Sequence, residues 1–297
     1  MSGVLDGRIV VVTGAGGGLG RSHAKACAAA GAKVVVNDLG SRRDGIGADS
    51  GAAEAVATEI RNSGGQAIAN ADDVADWSGA KRLIDQCIEV FGGLDVLVNN
   101  AGIVRDRMLV NMSEEEWDAV IRVHLRGTFL PSRHAAEYWR TQSRLGHPRD
   151  ARIVNTSSSS GLFGNIGQSN YGAAKAGIAG FTLVAAGELQ RYGVTVNAIS
   201  PTARTRMTED LAAEVHGLDA DDVSPVVVWL ASKRSSDVTG RVISVRSGRI
   251  SVLEGWANGP TSEVDSTSDP VELDNLLSRL CAIARPNASM NGTATTS

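Results

Sequence analysis

Aromatic residues make up only 4% of this 297-residue chain, and cysteine and proline are scarce, at three and seven. Each shortage excludes something. Cys27, Cys87 and Cys281 lie far apart, without the close pairing of metal ligands and too few for a disulfide framework. No metal site is expected, and a reducing compartment is. The net charge of −4 carries no basic excess, so the electrostatic footprint of a nucleic-acid binder is missing. No apolar run approaches the ~20 residues that span a bilayer, so no membrane partner is expected. The N-terminus lacks a basic stretch followed by an apolar one, which makes cytoplasmic the default location. Glycine, by contrast, is plentiful at 34 residues, and calls for tight turns or close backbone approaches to a ligand.

The chain is long enough for one large α/β domain with a substantial core. Short apolar, β-branched runs such as Ile9–Val12 and Lys33–Asn37 read as strands buried on both faces of a parallel sheet. Further strands are expected at 66–71, 94–98, 151–155, 195–200 and, as the last, 241–245. Helical patterns lie between them, at 52–63, 77–91, about 114–142 and 223–231. Ser113 reads as an N-cap with Glu116 at the capping-box position. Gly127 and Pro131 are expected to bend the long helix. Alternation of this kind means a doubly wound parallel sheet with helices on both faces, a Rossmann fold. Residues 1–258 form that domain, and 259–297 are a C-terminal extension with a possible helix at 271–284 and a disordered end. Leu273, Leu276, Leu277 and Leu280 share one face of that helix.

Three stretches carry chemistry. Thr13-Gly14-Ala15-Gly16-Gly17-Gly18-Leu19-Gly20 stands between the first strand and a helix. Glycines there let the backbone turn sharply, and the helix N-terminus offers free N–H groups to a pyrophosphate. Asp38 ends the second strand, roughly 20 residues on, where a carboxylate can accept from ribose hydroxyls and repel a 2′-phosphate. NAD is therefore favoured over NADP, with Arg42 and Arg43 as the counter-indication. Asn99-Asn100-Ala101-Gly102 closes the fourth strand with small residues suited to packing against a cofactor. The third stretch runs from Asn155 to Lys175. Tyr171 and Lys175 are four residues apart on one helical face. Ser158 stands at a strand end, where parallel sheets deliver residues to a ligand crevice. A free tyrosine titrates near ~10, and a positive charge within about 4–6 Å favours the phenolate. A phenol, an ammonium and a hydroxyl so arranged can move a proton at a carbonyl or alcohol carbon.

These motifs, in this order and with 13 residues from Ser158 to Tyr171, resemble the short-chain dehydrogenase/reductase superfamily over about residues 4–250. Longer strings, including Val34–Gly40, Val123–Gly127 and Gly164–Gln168, are similar to the (3R)-hydroxyacyl-CoA dehydrogenase domains of multifunctional enzymes type 2. The resemblance implies an NAD-dependent oxidoreductase of lipid metabolism that interconverts a secondary alcohol and a ketone, on a 3-hydroxyacyl-CoA or a hydroxysteroid. It implies that Tyr171 is the general acid/base, that Lys175 lowers its pKa and holds the nicotinamide ribose, and that Ser158 polarises the substrate oxygen. Gly14, Gly18, Leu19 and Gly20 would form the pyrophosphate turn, and Asp38 would take the adenosine ribose. Asp73 and Val74 would flank the adenine, and Asn100, Pro201 and Thr202 would line the cofactor further on.

The sequence departs from the family pattern twice. His124 stands where many members have an asparagine that holds a relay water, and an imidazole titrating near ~6.5 would make such a relay pH-sensitive. Thr202 follows Pro201, where glycine is common, and the next threonine, Thr205, comes early. Met207, Leu211 and Val215 either line a substrate entrance or pack a short helix. Ser157, Ser159 and Ser160 read as turn residues, and Arg105 and Arg107 as solvated ones. The resemblance also implies a homodimer or homotetramer, with Gly177, Ile178, Gly180 and Phe181 making a close-packing face. The alternative reading, from another class, is an NAD(H)-binding sensor without turnover.

Overall fold

The computed structural model describes residues 3–42, 44–47, 51–202, 219–246, 248–263, 270–290 and 292. Arg43, Thr205, Met207, Leu211 and Val215 lie outside the described residues, as does most of the chain end beyond 290. Eight strands form one sheet in the order β3-β2-β1-β4-β5-β6-β7-β8. They are β1 Ile9–Thr13, β2 Lys33–Asn37, β3 Gln66–Asn70, β4 Val96–Asn99, β5 Ala151–Thr156, β6 Val194–Thr202, β7 Val242–Arg246 and β8 Arg249–Leu253. The first seven run parallel, and β8 returns antiparallel on β7. The strand order reverses between β1 and β4, which opens a crevice at the carboxyl ends of the strands. The doubly wound reading holds.

Period-two alternation sends each strand's side chains to two cores. Val10, Val12, Val34, Val36, Val98 and Ile199 pack against α1 (Gly18–Ala29), α2 (Gly51–Asn62) and α8 (Ser224–Ala231). Ile9, Val11, Val35, Leu97, Ile153 and Val196 face α3 (Trp77–Phe91), α5 (Gly127–Arg144) and α7 (Ser169–Leu189). Cys27 and Cys87 are buried, one in each core. No helix among the described residues is long and apolar enough to cross a membrane.

Three details differ from the sequence reading. The expected last strand is followed by β8, and the hairpin between them turns through Gly248 at φ +70°. The serine-rich loop contains a short helix, α6 (Ser159–Phe163), capped by Ser158, whose hydroxyl accepts from Ser160 N at 3.2 Å. The long helix is interrupted upstream of Gly127, by a five-residue π turn, Arg122–Arg126, between α4 (Glu114–Ile121) and α5. Ser113 and Glu116 do close a capping box at the start of α4.

The contacts divide the chain into two compact units, Met1–Leu253 and Glu254–Ser297. The second contains α9, Pro270–Ile283. Leu273, Leu276 and Leu280 are half-buried on it, while Leu277 is exposed. At 100° per residue Leu277 falls at the margin of the stripe the other three define.

Candidate active site

The glycine loop is shaped by close approaches. Gly14 sits at φ +63°, and a Cβ there would lie 2.6 Å from Ala101 Cα. A Cβ on Gly20 would run into Gly14 O, so α1 can pack on the turn only with glycine here. Thr13 Oγ1 accepts from Asn100 N at 3.0 Å and Ala101 N at 3.1 Å. Asn100 Nδ2 donates back to Thr13 O and Gly14 O, both at 3.1 Å. The loop after β4 thus pins the loop after β1. Gly18 is at φ +52°, and Leu19 turns its side chain into the core beneath. No side chain caps α1 and no acid lies in its first turn, which leaves the N–H groups of that turn open to an anionic ligand. Asp38 spans the opening: Oδ2 accepts from Gly16 N and Oδ1 from Gly40 N, each at 2.7 Å.

At the end of β3, Asp73 accepts from Ala75 N at 2.8 Å and pairs with Arg122 at 2.6 Å. Val74 is buried beside Gly127, where a Cβ would come within 3.1 Å of Val74 Cγ2. Pro201 and Thr202 end β6, half-buried and paired with Val245 and Arg246 of β7.

The reacting groups converge at β5 and α7. Ser158 is nearly buried, and hydrogen bonding between it and Tyr171 favours the phenolate. Burial nevertheless dominates and, with the negative charge of Asp106, pushes the Tyr171 phenol up to about 12. Lys175 is buried, donates from Nζ to Thr156 O at 2.6 Å, and is pushed down to about 7 by burial. Its Nζ lies 5.5 Å from the Tyr171 ring centroid. Burial dominates at both groups and drives the phenol and the ammonium toward their neutral forms.

His124 is carried by the π turn, an irregularity often found at functional sites. Its ring meets that of Tyr171 edge-on, with centroids 5.1 Å apart and an interplanar angle of 86°. Nε2 lies 2.7 Å from Ile103 O and 3.1 Å from Ile103 N, and the shorter contact is that of Nε2–H donating to the carbonyl. Nδ1 is then a buried acceptor with no partner among the described residues. Burial, reinforced by the charge of Lys175, pushes the imidazole down to about 3. A relay through His124 therefore does not titrate near 6.5, contrary to the expectation from an exposed imidazole. Gly102 makes room for the ring, since a Cβ there would collide with His124 Cε1.

The structure thus brings Ser158, Tyr171, Lys175 and His124 together, and gathers Gly14, Gly18, Leu19, Gly20, Asp38 and Asn100 around the glycine loop. The family model described as short chain dehydrogenase matches residues 8–216. The chain belongs to that family. This short chain dehydrogenase is 43% identical over 300 residues to the hydroxyacyl-CoA dehydrogenase ChsB1 of Mycobacterium tuberculosis, covering 97% of this chain and 93% of that one. It is 45% identical to the mouse (Mus musculus) peroxisomal multifunctional enzyme type 2 over 251 residues, 84% of this chain but only 33% of the mouse protein. A crystal structure of a short chain dehydrogenase from Mycobacterium avium superposes with a TM-score of 0.89 at 55% identity, covering 97% of this chain and 99% of that one. As a family member, this dehydrogenase is an oxidoreductase acting on a CH–OH group, and the family binds a nicotinamide cofactor. The glycine cradle and the uncapped α1 N-terminus fit the pyrophosphate of such a cofactor.

Several residues at this dehydrogenase's site escaped sequence reading. Asp106 bears on Tyr171 through space, Arg122 reaches Asp73 from the π turn, and Gly161 lets α6 press on α7. No role was readable for any of them, because only the folded loops bring them near. Arg107 is exposed, as expected of a solvated residue, and pairs with Glu116 at 2.9 Å, whereas Arg105 is half-buried and donates to Asp44 O at 2.9 Å.

Proposed function

We propose that this chain is an NAD-dependent oxidoreductase that interconverts a secondary alcohol and a ketone, on a 3-hydroxyacyl-CoA or a substrate of hydroxysteroid type. The observation that carries the reading is Ser158, Tyr171 and Lys175 converging at the end of β5, in the same crevice as the glycine loop and Asp38. The name of the Mycobacterium tuberculosis relative supports the acyl-CoA side of it.

In this reading Ser158 holds the substrate oxygen, and Tyr171 exchanges a proton with it as general acid/base. Lys175 supplies the charge that favours the phenolate and holds the nicotinamide ribose. His124, neutral and bonded to Ile103, keeps Nδ1 as an acceptor that could take a water. Gly14, Gly18, Leu19 and Gly20 hold the pyrophosphate, Asp38 the adenosine ribose, and Asp73 with Val74 the adenine, while Asn100, Pro201 and Thr202 line the nicotinamide end. The cofactor supplies the hydride acceptor or donor, and the protein supplies position and electrostatics. Asp38 favours NAD because a carboxylate repels a 2′-phosphate. Arg42 remains the counter-indication: it is exposed and only loosely paired with Asp44, at 3.8 Å.

The test is a paired NAD/NADP assay against 3-hydroxyacyl-CoAs and hydroxysteroids. NAD preferred by tenfold or more, with turnover on at least one class, is expected. Preference for NADP would overturn the role of Asp38. Tight NAD(H) binding without turnover across the whole panel would favour a sensor instead.

A second copy as partner is part of the same proposal. Gly177 and Ile178 face this chain's own interior, but Gly180 opens outward and Leu183, Val184 and Phe129 are exposed along the α5–α7 face. A groove of about 340 Å³ runs between those helices, with Phe181, Arg140 and Glu188 among its walls. Sedimentation at micromolar concentration is expected to show more than a monomer, and a monomeric mass would count against this face as an interface.

A further inference from the structure

Ser157 stands between the last residue of β5 and the substrate-facing Ser158, and reads from sequence as one of several turn serines. Strand alternation sends its side chain away from the side that Ser158 faces. It is 1% exposed. Its hydroxyl donates to Lys175 O at 2.9 Å, and its backbone N–H donates to Ile199 O of β6 at 2.7 Å. One residue earlier, Thr156 O receives the Lys175 ammonium at 2.6 Å. The last residue of β5 and the one after it therefore hold Lys175 at both of its polar ends, Thr156 taking the ammonium and Ser157 gripping the backbone carbonyl. A third contact closes the arrangement. Gly161 of α6 lies so close to α7 that a Cβ would stand 2.5 Å from Ala176 N and 2.6 Å from Lys175 C.

This grip falls at one point on a 21-residue helix. Tyr171 sits one turn before it on the same face. A helix fixed only by apolar packing can rotate or slide by a fraction of an ångström at little cost. A buried hydrogen bond to one of its carbonyls resists that, because losing it strands polar groups away from water. The gap between the Tyr171 phenol and Ser158 depends on that setting.

We infer that Ser157 is a positioning residue: through its bond to the Lys175 carbonyl it locks α7 against the end of β5 and so sets the reach of Tyr171 and Lys175 toward the substrate oxygen held by Ser158. The inference rests on the proposed alcohol–ketone chemistry. Ser157 touches neither substrate nor cofactor in this scheme, and it acts through Lys175.

Ser157→Ala is expected to lower kcat about tenfold, to leave the KM for NAD within twofold, and to move the alkaline limb of the kcat pH profile upward. Ser157→Thr, which keeps the hydroxyl, restores most of the loss. Ser159→Ala, a neighbour outside the grip, serves as the control for removing a serine from this loop. A second readout needs no turnover. Competitive acetylation with acetic anhydride across pH, read at Lys175 by mass spectrometry, reports how that amine titrates and how accessible it is. In Ser157→Ala its limiting labelling rate at high pH, where the amine is free, is expected to rise at least threefold as access improves, and its midpoint to move up toward that of an ordinary lysine. A variant that merely melts earlier, with kcat, pH profile and Lys175 labelling all unchanged, would overturn the inference. If the wild type turns over none of the panel while Lys175 labelling still responds to Ser157→Ala, the grip stands and the proposed reaction falls.

Discussion

The two ends of the sheet treat buried charge in opposite ways. At the amino ends of the strands, Arg8 and Arg152 are nearly sealed from solvent but are answered by a carboxylate. Arg8 pairs with Asp150 at 3.2 Å and donates to its backbone O at 2.7 Å, and Arg152 pairs with Asp150 at 2.5 Å and donates to Ser232 O at 3.1 Å. Close by, Arg149 meets Asp95 at 3.2 Å, and Asp95 accepts from Ile9 N at 2.9 Å. At the carboxyl ends, Lys175 donates to a carbonyl and meets no carboxylate among the described residues, and Tyr171, Lys175 and His124 are all driven toward their neutral forms by burial. Compensated charge holds three strand starts in register. Uncompensated groups whose protonation burial has shifted, Lys175 to about 7 among them, are typical of sites that move protons. One end is built for stability and the other for chemistry, and substitutions at each should separate the two properties.

The largest expected effect is at the chemical end. Tyr171→Phe removes the proton donor and acceptor while keeping the ring that packs edge-on against His124. Turnover should fall on the order of 10²–10⁴-fold, the usual scale of general acid–base catalysis. Thermal stability should be unchanged or slightly higher, because the lost hydroxyl is desolvated. Wild-type turnover in this variant would break the comparison at its chemical end.

The reverse pattern is expected at the other end. Arg152→Ala leaves Asp150 without one partner and opens a gap beside Ser232. Breaking a buried pair costs about 3–5 kcal/mol, and the lower figure applies because Asp150 is half-exposed. Urea unfolding should report a loss of roughly 3 kcal/mol, while kcat per folded molecule stays within a factor of about two. A variant that keeps its stability and loses turnover would show that the ion cluster serves the active site after all.

Much of this contrast was open to sequence reading at the chemical end and closed at the other. The glycine loop, Asp38, Asn100, Ser158, Tyr171 and Lys175 announce themselves because each belongs to a fixed local spacing on a strand–turn–helix unit. The residues that tune them do not. Ser157 was one serine among four until the fold showed which carbonyl it faces, and Asp106 comes near Tyr171 only because Gln168 and Arg107 tie two loops together. His124 was legible as a position but not as an environment. Its low pKa comes from surrounding segments that meet only in three dimensions. The ion cluster was invisible for the same reason, since Arg8 and Asp150 are 142 residues apart. The hairpin strand β8 was missed because its partner is the strand before it, in a chain whose other neighbours are all parallel crossovers.

The smallest expected effect concerns a buried group at neither end. His23 on α1 is fully enclosed, and its Nδ1 lies 2.8 Å from Ser224 Oγ, which lies 2.6 Å from Ser22 Oγ, which donates to Asp221 Oδ1 at 2.5 Å. One direction places every proton along this chain: Nδ1–H donates to Ser224, Ser224 to Ser22, and Ser22 to the carboxylate. Nε2 is then a bare acceptor without a partner among the described residues, so charging the ring would strand a new N–H. Burial accordingly pushes His23 down to about 3 from an ordinary value near 6.5. The unfolded chain takes up a proton as pH falls through 6.5 and the folded one does not, so folding stability drops between pH 6.5 and about 3. His124 contributes with the same sign. Each histidine can remove at most about 1.4 kcal/mol per pH unit in that window. Urea midpoints followed from pH 6.5 to 4.5, above the range where most carboxylates protonate, should fall less steeply in His23→Gln than in the wild type. Parallel curves would mean that the folded chain protonates His23 about as readily as the unfolded one, so that its burial carries no pH-dependent cost.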